Sequence, residues 1–120
     1  MNKGRNRKMK VSELVVQLGL KIFGSKNGLD REINGGYTSD LLSDVMGHAT
    51  AGQVWITLQT HKNVVAIASL KEIAAVILVK GYEPEADMLA QSNIEEIPVL
   101  GTTEEAFEIS GKLYKLLNNG

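Results

Sequence analysis

Between Thr57 and Asn63 the chain reads TLQTHKN, which places two hydroxyls, two amides, an imidazole and an ammonium within seven residues. They follow an alternating apolar run, QVWITL, and precede a small-apolar run, VVAIASL. That is a strand running into a helix. In a parallel α/β sheet, ligands collect outside the carboxyl ends of strands, where helix N-termini offer unpaired N–H groups. Thr57, Gln59, Thr60, His61 and Asn63 would stand at such a junction, with Thr60 as the helix cap. A phosphate or carboxylate would be held by backbone N–H groups and the Lys62 or His61 side chain. No glycine-rich loop accompanies them, and a capped helix with a hydrated rim needs the same residue types.

A second constellation is GGYTSDLLSDVMGH, Gly35–His48. Asp40, Asp44 and His48 are spaced four apart, one helical turn each, which on a continuous helix would suit a divalent cation. Gly47 is expected to end the helix before His48 and to take the imidazole out of line. The two carboxylates then read as a solvated helix face, and no metal is assigned.

Other chemistry is absent from the sequence. There is no nucleophile-elbow G-x-S-x-G, no P-loop, no H-E-x-x-H, and Gly35-Gly36 is not G-x-G-x-x-G. With no cysteine, disulfides, thiolate metal sites and cysteine nucleophiles are excluded. The reading is therefore not an enzyme.

The elements that would position these residues alternate. SELVVQLG predicts a helix capped by Ser12 and stopped by Gly19, and LKIF a strand. REINGGYTS holds a second strand about Gly35-Gly36. SDLLSDVMG predicts a helix capped by Thr38 or Ser39, with Leu41, Leu42, Val45 and Met46 inward. In QVWITL, Val54, Ile56 and Leu58 share one face, Trp55 and Thr57 the other. The helix over 62–72 is apolar on more than one face. Its small residues Ala66, Ala68 and Ser69 would admit a second subunit, or a further layer of the same fold. AAVILV, apolar on both faces, is the signature of a central parallel strand. YEPEADMLAQSN predicts a helix with Pro84 near its first turn. IPVL is a short strand whose Pro98 suits an edge or a strand start. TTEEAFEISGKLYKLL has Thr102 and Glu105 at capping-box spacing, with acids early and lysines late. The pattern is α/β: a single three-layer α/β/α domain with a mainly parallel sheet.

The totals fit one domain. At 120 residues, 43% hydrophobic and 22% charged, the chain is of ordinary globular composition, with a core of aliphatic residues because aromatics are only 5%. Residues 1–10 hold five of the 13 basic residues and no acid, so the remainder carries a net charge of −6. This reads as a flexible basic leader, residues 1–10, ahead of a domain over 11–118. It is not the basic face of a nucleic-acid module. No run approaches the roughly 18 apolar residues of a transmembrane helix, and no signal-peptide core follows the charges. A cytoplasmic location is expected.

From GYTSDLLSDVMGHATAGQVWITLQTHKNVVAIASLKEIAAVILVKG, and again in IPVL followed by TTEEAFEISGKLYKL, the sequence resembles a DRTGG domain of the short, stand-alone kind. That family is similar to the N-terminal domain of HPr kinase/phosphorylase and, more distantly, to the uridine-nucleotide-holding domain of Mur ligases. In larger proteins DRTGG domains accompany phosphotransacetylase and CBS-containing pyrophosphatase domains, where they look regulatory or dimer-forming. The short forms lie near genes for hydrogenase-like and histidine-kinase-like proteins. The eponymous residues are largely missing: Thr60-His61-Lys62 and Val79-Lys80-Gly81 stand in their places. The resemblance carries over Asp40, Ser43, Asp44, Thr57, Gln59, Thr60, His61 and Asn63.

Together these observations predict a regulatory module that forms a homodimer and binds a small anionic ligand, such as a nucleotide or phosphorylated metabolite, without a cofactor. One rim would be Thr57, Gln59, Thr60, His61 and Asn63, and the other Gly35, Gly36, Thr38 and Asp40. This assumes that the strand over 33–37 lies beside that over 53–58. The alternative is a protein-interaction adaptor for a redox (hydrogenase-like) or kinase-like partner, with no small ligand.

Overall fold

The computed structural model describes residues 8–118. Most of the expected leader lies outside them, but Met9 and Lys10 belong to the fold. They form β1 (Met9–Lys10), antiparallel to β3 (Glu32–Ile33), with Met9 buried. An apolar side chain at position 9 thus moves the start of the folded unit two residues ahead of the expected boundary.

Helix α1 (Val11–Leu18) follows, turning Val11 and Leu14 inward and stopping at Gly19, whose φ of +62° is the left-handed end that glycine reaches without strain. Its start is not capped by Ser12. The Lys10 N–H instead donates to the Glu13 carboxylate at 2.9 Å, half of a capping box.

The main sheet has five strands: β2 (Lys21–Gly24), β4 (Gly35–Thr38), β5 (Gln53–Thr57), β6 (Ala75–Leu78) and β7 (Val99–Gly101). Their order is β2-β7-β6-β5-β4, with β4 to β7 parallel and β2 antiparallel on the far edge. β6 is central and every residue of it is buried, as its two-faced apolar run demands. β7 is interior, not an edge. Pro98 precedes its paired residues and contributes only a carbonyl, which accepts from Val76 N–H at 2.9 Å.

The helices connecting the parallel strands are α2 (Leu42–His48), α3 (Lys62–Leu70) and α4 (Ala86–Glu95). Each crossover steps the sheet in the same direction, and with one handedness all three helices fall on the same face. There Val45, Val64, Val65, Ala68 and Met88 bury against Trp55, Val76, Leu78 and Val99. The opposite face is covered by α1 and by α5 (Ala106–Asn118), whose Ile109, Leu113 and Leu117 meet Val54, Ile56, Ile77 and Leu100. The fold is a three-layer α/β/α sandwich.

The second apolar face of α3 is covered within the chain only in part: Ala66 and Leu70 are exposed, Leu70 at 67%. Ala68 is fully buried, and Ser69 Oγ donates to Glu95 of α4 at 2.9 Å. Two other expectations for the helices fail. Gly47 does not stop α2, which runs through His48, and Leu41 and Met46 are exposed at 63% and 40%. Leu41 only precedes the helix, so one turn fewer than expected faces inward. Among the described residues no helix is long and apolar enough to cross a membrane.

Candidate functional site

The polar cluster after β5 is bound to the loop after β4. These strands are neighbours, with Thr38 paired to Ile56, so their carboxyl ends lie side by side. Asp40 Oδ1 accepts from the Thr57 hydroxyl at 2.8 Å and from Leu58 N–H at 2.9 Å. Gln59 Nε2 donates to the Asp40 carbonyl at 2.9 Å, and Gln59 N–H to the Thr57 hydroxyl at 3.2 Å. Thr57 is buried, 1% exposed, so its hydroxyl must find partners inside the protein. Asp40 and Thr57 supply each other.

Thr60 and His61 are tied to α4 instead. His61 Nδ1 is 3.1 Å from Glu85 Oε2, the Thr60 hydroxyl is 3.4 Å from the same oxygen, and Glu85 N–H donates to the Thr60 carbonyl at 3.0 Å. His61, not Thr60, is the N-cap residue of α3, and it gives no side-chain cap. Asn63 is exposed in the first turn. The cluster is therefore a joint holding three loops, with much of its polar capacity committed.

The acidic line of α2 is likewise engaged. Asp40 has left it for β5. Asp44 accepts from the Tyr37 hydroxyl at 2.9 Å and has His48 Nδ1 at 3.3 Å. Hydrogen bonding from the Ser39 hydroxyl, then from Tyr37, holds the Asp44 carboxyl below its ordinary range. Burial first, and then the Asp44 hydrogen bond, raises the Tyr37 phenol above its ordinary value. Among the described residues no three His, Asp or Glu side chains gather where a metal ion would be held.

Gly35, Gly36 and Thr38 lie elsewhere. Gly35 pairs with Gln53 at the start of β5, well before Thr57, so the glycine pair does not face the 57–63 segment. It forms instead the floor of a groove of about 490 Å³ between β4 and α5. A Cβ on Gly36 would come within 2.7 Å of Leu113 Cδ2, so glycine is what lets α5 lie this close to the strand. Ile33, Ile56, Leu113 and Leu117 give the groove its apolar wall, while Asn34, Ser110, Tyr114 and Asn118 add polar groups. The Thr38 and Ser110 hydroxyls bond across it at 2.7 Å. Among the described residues Lys8 supplies the one cation of the lining, which holds no carboxylate, and its ammonium stands 3.5 Å from the exposed Glu32 carboxylate.

The α5 residues of this groove were not anticipated, since their meeting with β4 depends on packing between segments some 75 residues apart. The available signal was an aromatic pair, Phe107 and Tyr114, two turns apart on an otherwise ordinary amphipathic helix.

At Val79-Lys80-Gly81 the backbone is occupied. Lys80 and Gly81 have φ of +62° and +76°, and their N–H groups donate to the carbonyls of Glu104 and Thr102. A smaller cleft of about 320 Å³ beside this turn includes Lys21, whose ammonium stands 5.0 Å from the Phe23 ring centre.

The sequence matches no family model and no curated protein. The structure does have a solved neighbour, the CBS and DRTGG domains of the regulatory region of Clostridium perfringens pyrophosphatase, crystallised with its activator diadenosine tetraphosphate. The TM-score is 0.67 at 11% identity, covering 88% of this chain and 45% of the other. The chain thus spans less than half the length of that neighbour. In class, this is an α/β protein with a mainly parallel sheet; in particular, its fold is DRTGG-like.

Proposed function

We propose that this chain is a non-catalytic, cytoplasmic regulatory module that binds a small anionic ligand, a nucleotide or phosphorylated metabolite, and acts as a homodimer. The observation that carries the reading is the groove between β4 and α5. Among the described residues it has an apolar wall, uncharged polar groups around it and a single cation, Lys8, which an anion could draw from its solvent-exposed pair with Glu32; this suits a ligand of mixed character and negative charge. A regulatory region crystallised with a nucleotide activator among the structural neighbours supports the same class. Within the expected site, this reading gives Gly35, Gly36 and Thr38 to the ligand. Asp40, Thr57, Gln59, Thr60, His61 and Asn63 are left to the joint between loops.

The test is thermal unfolding of the full chain against nucleotides and phosphorylated metabolites. Ligand at about 100 times its Kd adds about 2.7 kcal/mol and raises Tm by several degrees. The shift should vanish in Ser110→Met, which fills the groove, and survive in His61→Ala. The reverse pattern returns the ligand to the strand ends, and a flat panel defeats the reading.

An adaptor without a small ligand draws on a different observation. Phe107 of α5 is 85% exposed and lines neither the core nor the groove, while Tyr114 on the same face is 71% exposed at the groove's rim. The same surface would serve self-association. Sedimentation of the wild type and of Phe107→Lys separates them: a dimer that dissociates on substitution supports the homodimer, and a monomer leaves the surface for another protein.

A further inference from the structure

β4 ends one side of the sheet, and among the described residues no strand pairs with its outer edge. The Thr57 carbonyl accepts from Val79 N–H on the β6 side at 3.1 Å, and the Ile56 carbonyl accepts from Ser39 N–H at 3.2 Å. Alternation along β4 therefore turns the backbone of Tyr37, like that of Ser39, toward β5. Gly36 and Thr38 then direct their N–H and C=O groups away from the sheet, and both residues are exposed. Natural sheets guard such an edge with a charge or a proline, and Gly35–Thr38 holds neither.

One flank of α5 runs along the same edge. Tyr114 and Asn118 line the groove on the β4 side, and Phe107 and Gly111 continue their line at helical spacing. A Cβ on Gly111 would meet nothing within 4 Å, so the fold itself does not need a residue that weakens the helix; a second helix lying against it does. Glu108 and Lys115, both exposed, stand two turns apart beside this line. The Thr38–Ser110 bond and the contact of Gly36 with Leu113 set Tyr37 level with the middle of α5, midway between Glu108 and Lys115.

We propose that a second copy of this chain occupies the edge. The two β4 strands pair antiparallel about a two-fold axis through Tyr37 and the middle of α5, joining the two sheets into one. Gly36 exchanges backbone hydrogen bonds with the partner's Thr38, and Thr38 with the partner's Gly36, so each threonine side chain lies beside a position that has none. The same axis lays the two α5 helices antiparallel, with Phe107 toward the partner's Tyr114 and Glu108 toward the partner's Lys115. A two-fold contact satisfies that charge pair twice, and this complementarity favours a second copy over an unrelated strand. This rests on the homodimer of the preceding reading and adds the surface and axis that form it.

The experiment is sedimentation velocity of the full chain and its variants, with Tm as the control for folding. The wild type should be a dimer at micromolar concentration. Glu108→Lys and Lys115→Glu should each raise its Kd about tenfold, and the two together should return it to within about threefold of wild type. Thr38→Pro removes an N–H that the sheet itself leaves unpaired, and should raise Kd at least tenfold, whereas Ser110→Ala, which loses only the bond to Thr38, should not. The chain has no cysteine, so Tyr37→Cys can form a disulfide only between copies, and mild oxidation should cross-link it. A monomeric wild type overturns both this interface and the homodimer, while ligand binding stands. A dimer that ignores Thr38→Pro, that the paired charge reversal fails to restore, or that Tyr37→Cys does not cross-link overturns the β4 edge alone and moves the homodimer to another surface.

Discussion

Replacing Asp40 tests whether the joint between the β4 and β5 loops is structural. Its Oδ1 accepts two hydrogen bonds, from the buried Thr57 hydroxyl and from Leu58 N–H. Asp40→Ala removes the acceptor and strands both donors, one of them in a residue 1% exposed. A hydrogen bond to a charged group is worth about 1.5 to 3 kcal/mol, but Asp40 itself is exposed and its charge is screened. The loss should be about 2 kcal/mol. At about 3 to 5 °C per kcal/mol for a domain of this length, Tm falls by roughly 6 to 10 °C. Asp40→Asn is the sharper variant. Both bonds go to the same oxygen, so the amide oxygen can accept both and only the charge assistance is lost, costing about 0.5 to 1 kcal/mol. Unfolding followed by far-ultraviolet circular dichroism reads both variants. An alanine variant within a degree of wild type, or an asparagine variant as damaged as alanine, would refute the argument. In the first case the polar side chains after β5 would be available for a ligand after all.

Two further outcomes are expected. Ser25 has φ of +61° and a buried Oγ with no hydrogen-bond partner among the described residues. Ser25→Gly relieves both, and after the unfolded-chain entropy that glycine adds, the domain should gain about 1 kcal/mol in denaturant titration. A loss would show that the hydroxyl has a use. The Asp44 carboxyl titrates below its unfolded value, so its contribution is complete above the ordinary carboxylate range and disappears as pH falls through the folded value. Tm profiles from neutral to acid pH should fall less steeply for Asp44→Asn than for wild type. Parallel profiles would contradict the assigned hydrogen bonds.

Much of this fold is legible in the sequence because burial on both faces leaves little choice. AVIL at 75–78 can only be a central strand, and the alternation in QVWIT sorts Val54 and Ile56 from Trp55 onto the two faces where the two cores lie. The pairing of β4 with β5, assumed from the pattern, is present in the sheet. Helix ends were read less well. Ser12, Thr60 and Thr102 have the chemistry of caps. Yet Lys10 is served by a glutamate side chain, His61 caps by backbone shape alone, and Thr102 accepts from Glu104 N–H as a local turn. Several backbone solutions compete at a helix start, and local sequence does not choose among them. The groove was half legible for another reason. Gly35 and Gly36, lacking side chains, permit a close approach, but nothing near them in sequence says that α5 is what approaches.

The return of α5 across the sheet also bears on how the chain is made. Ile109, Leu113 and Leu117 complete a core whose other members, from Met9 to Leu100, are synthesised earlier. Until α5 emerges from the ribosome, only α1 covers that face, and the nascent sheet leaves part of its aliphatic side chains, Val54 and Ile56 among them, open to its surroundings. The nascent domain cannot close strand by strand as it is made; it closes when its last-made helix reaches the first strand of the parallel set.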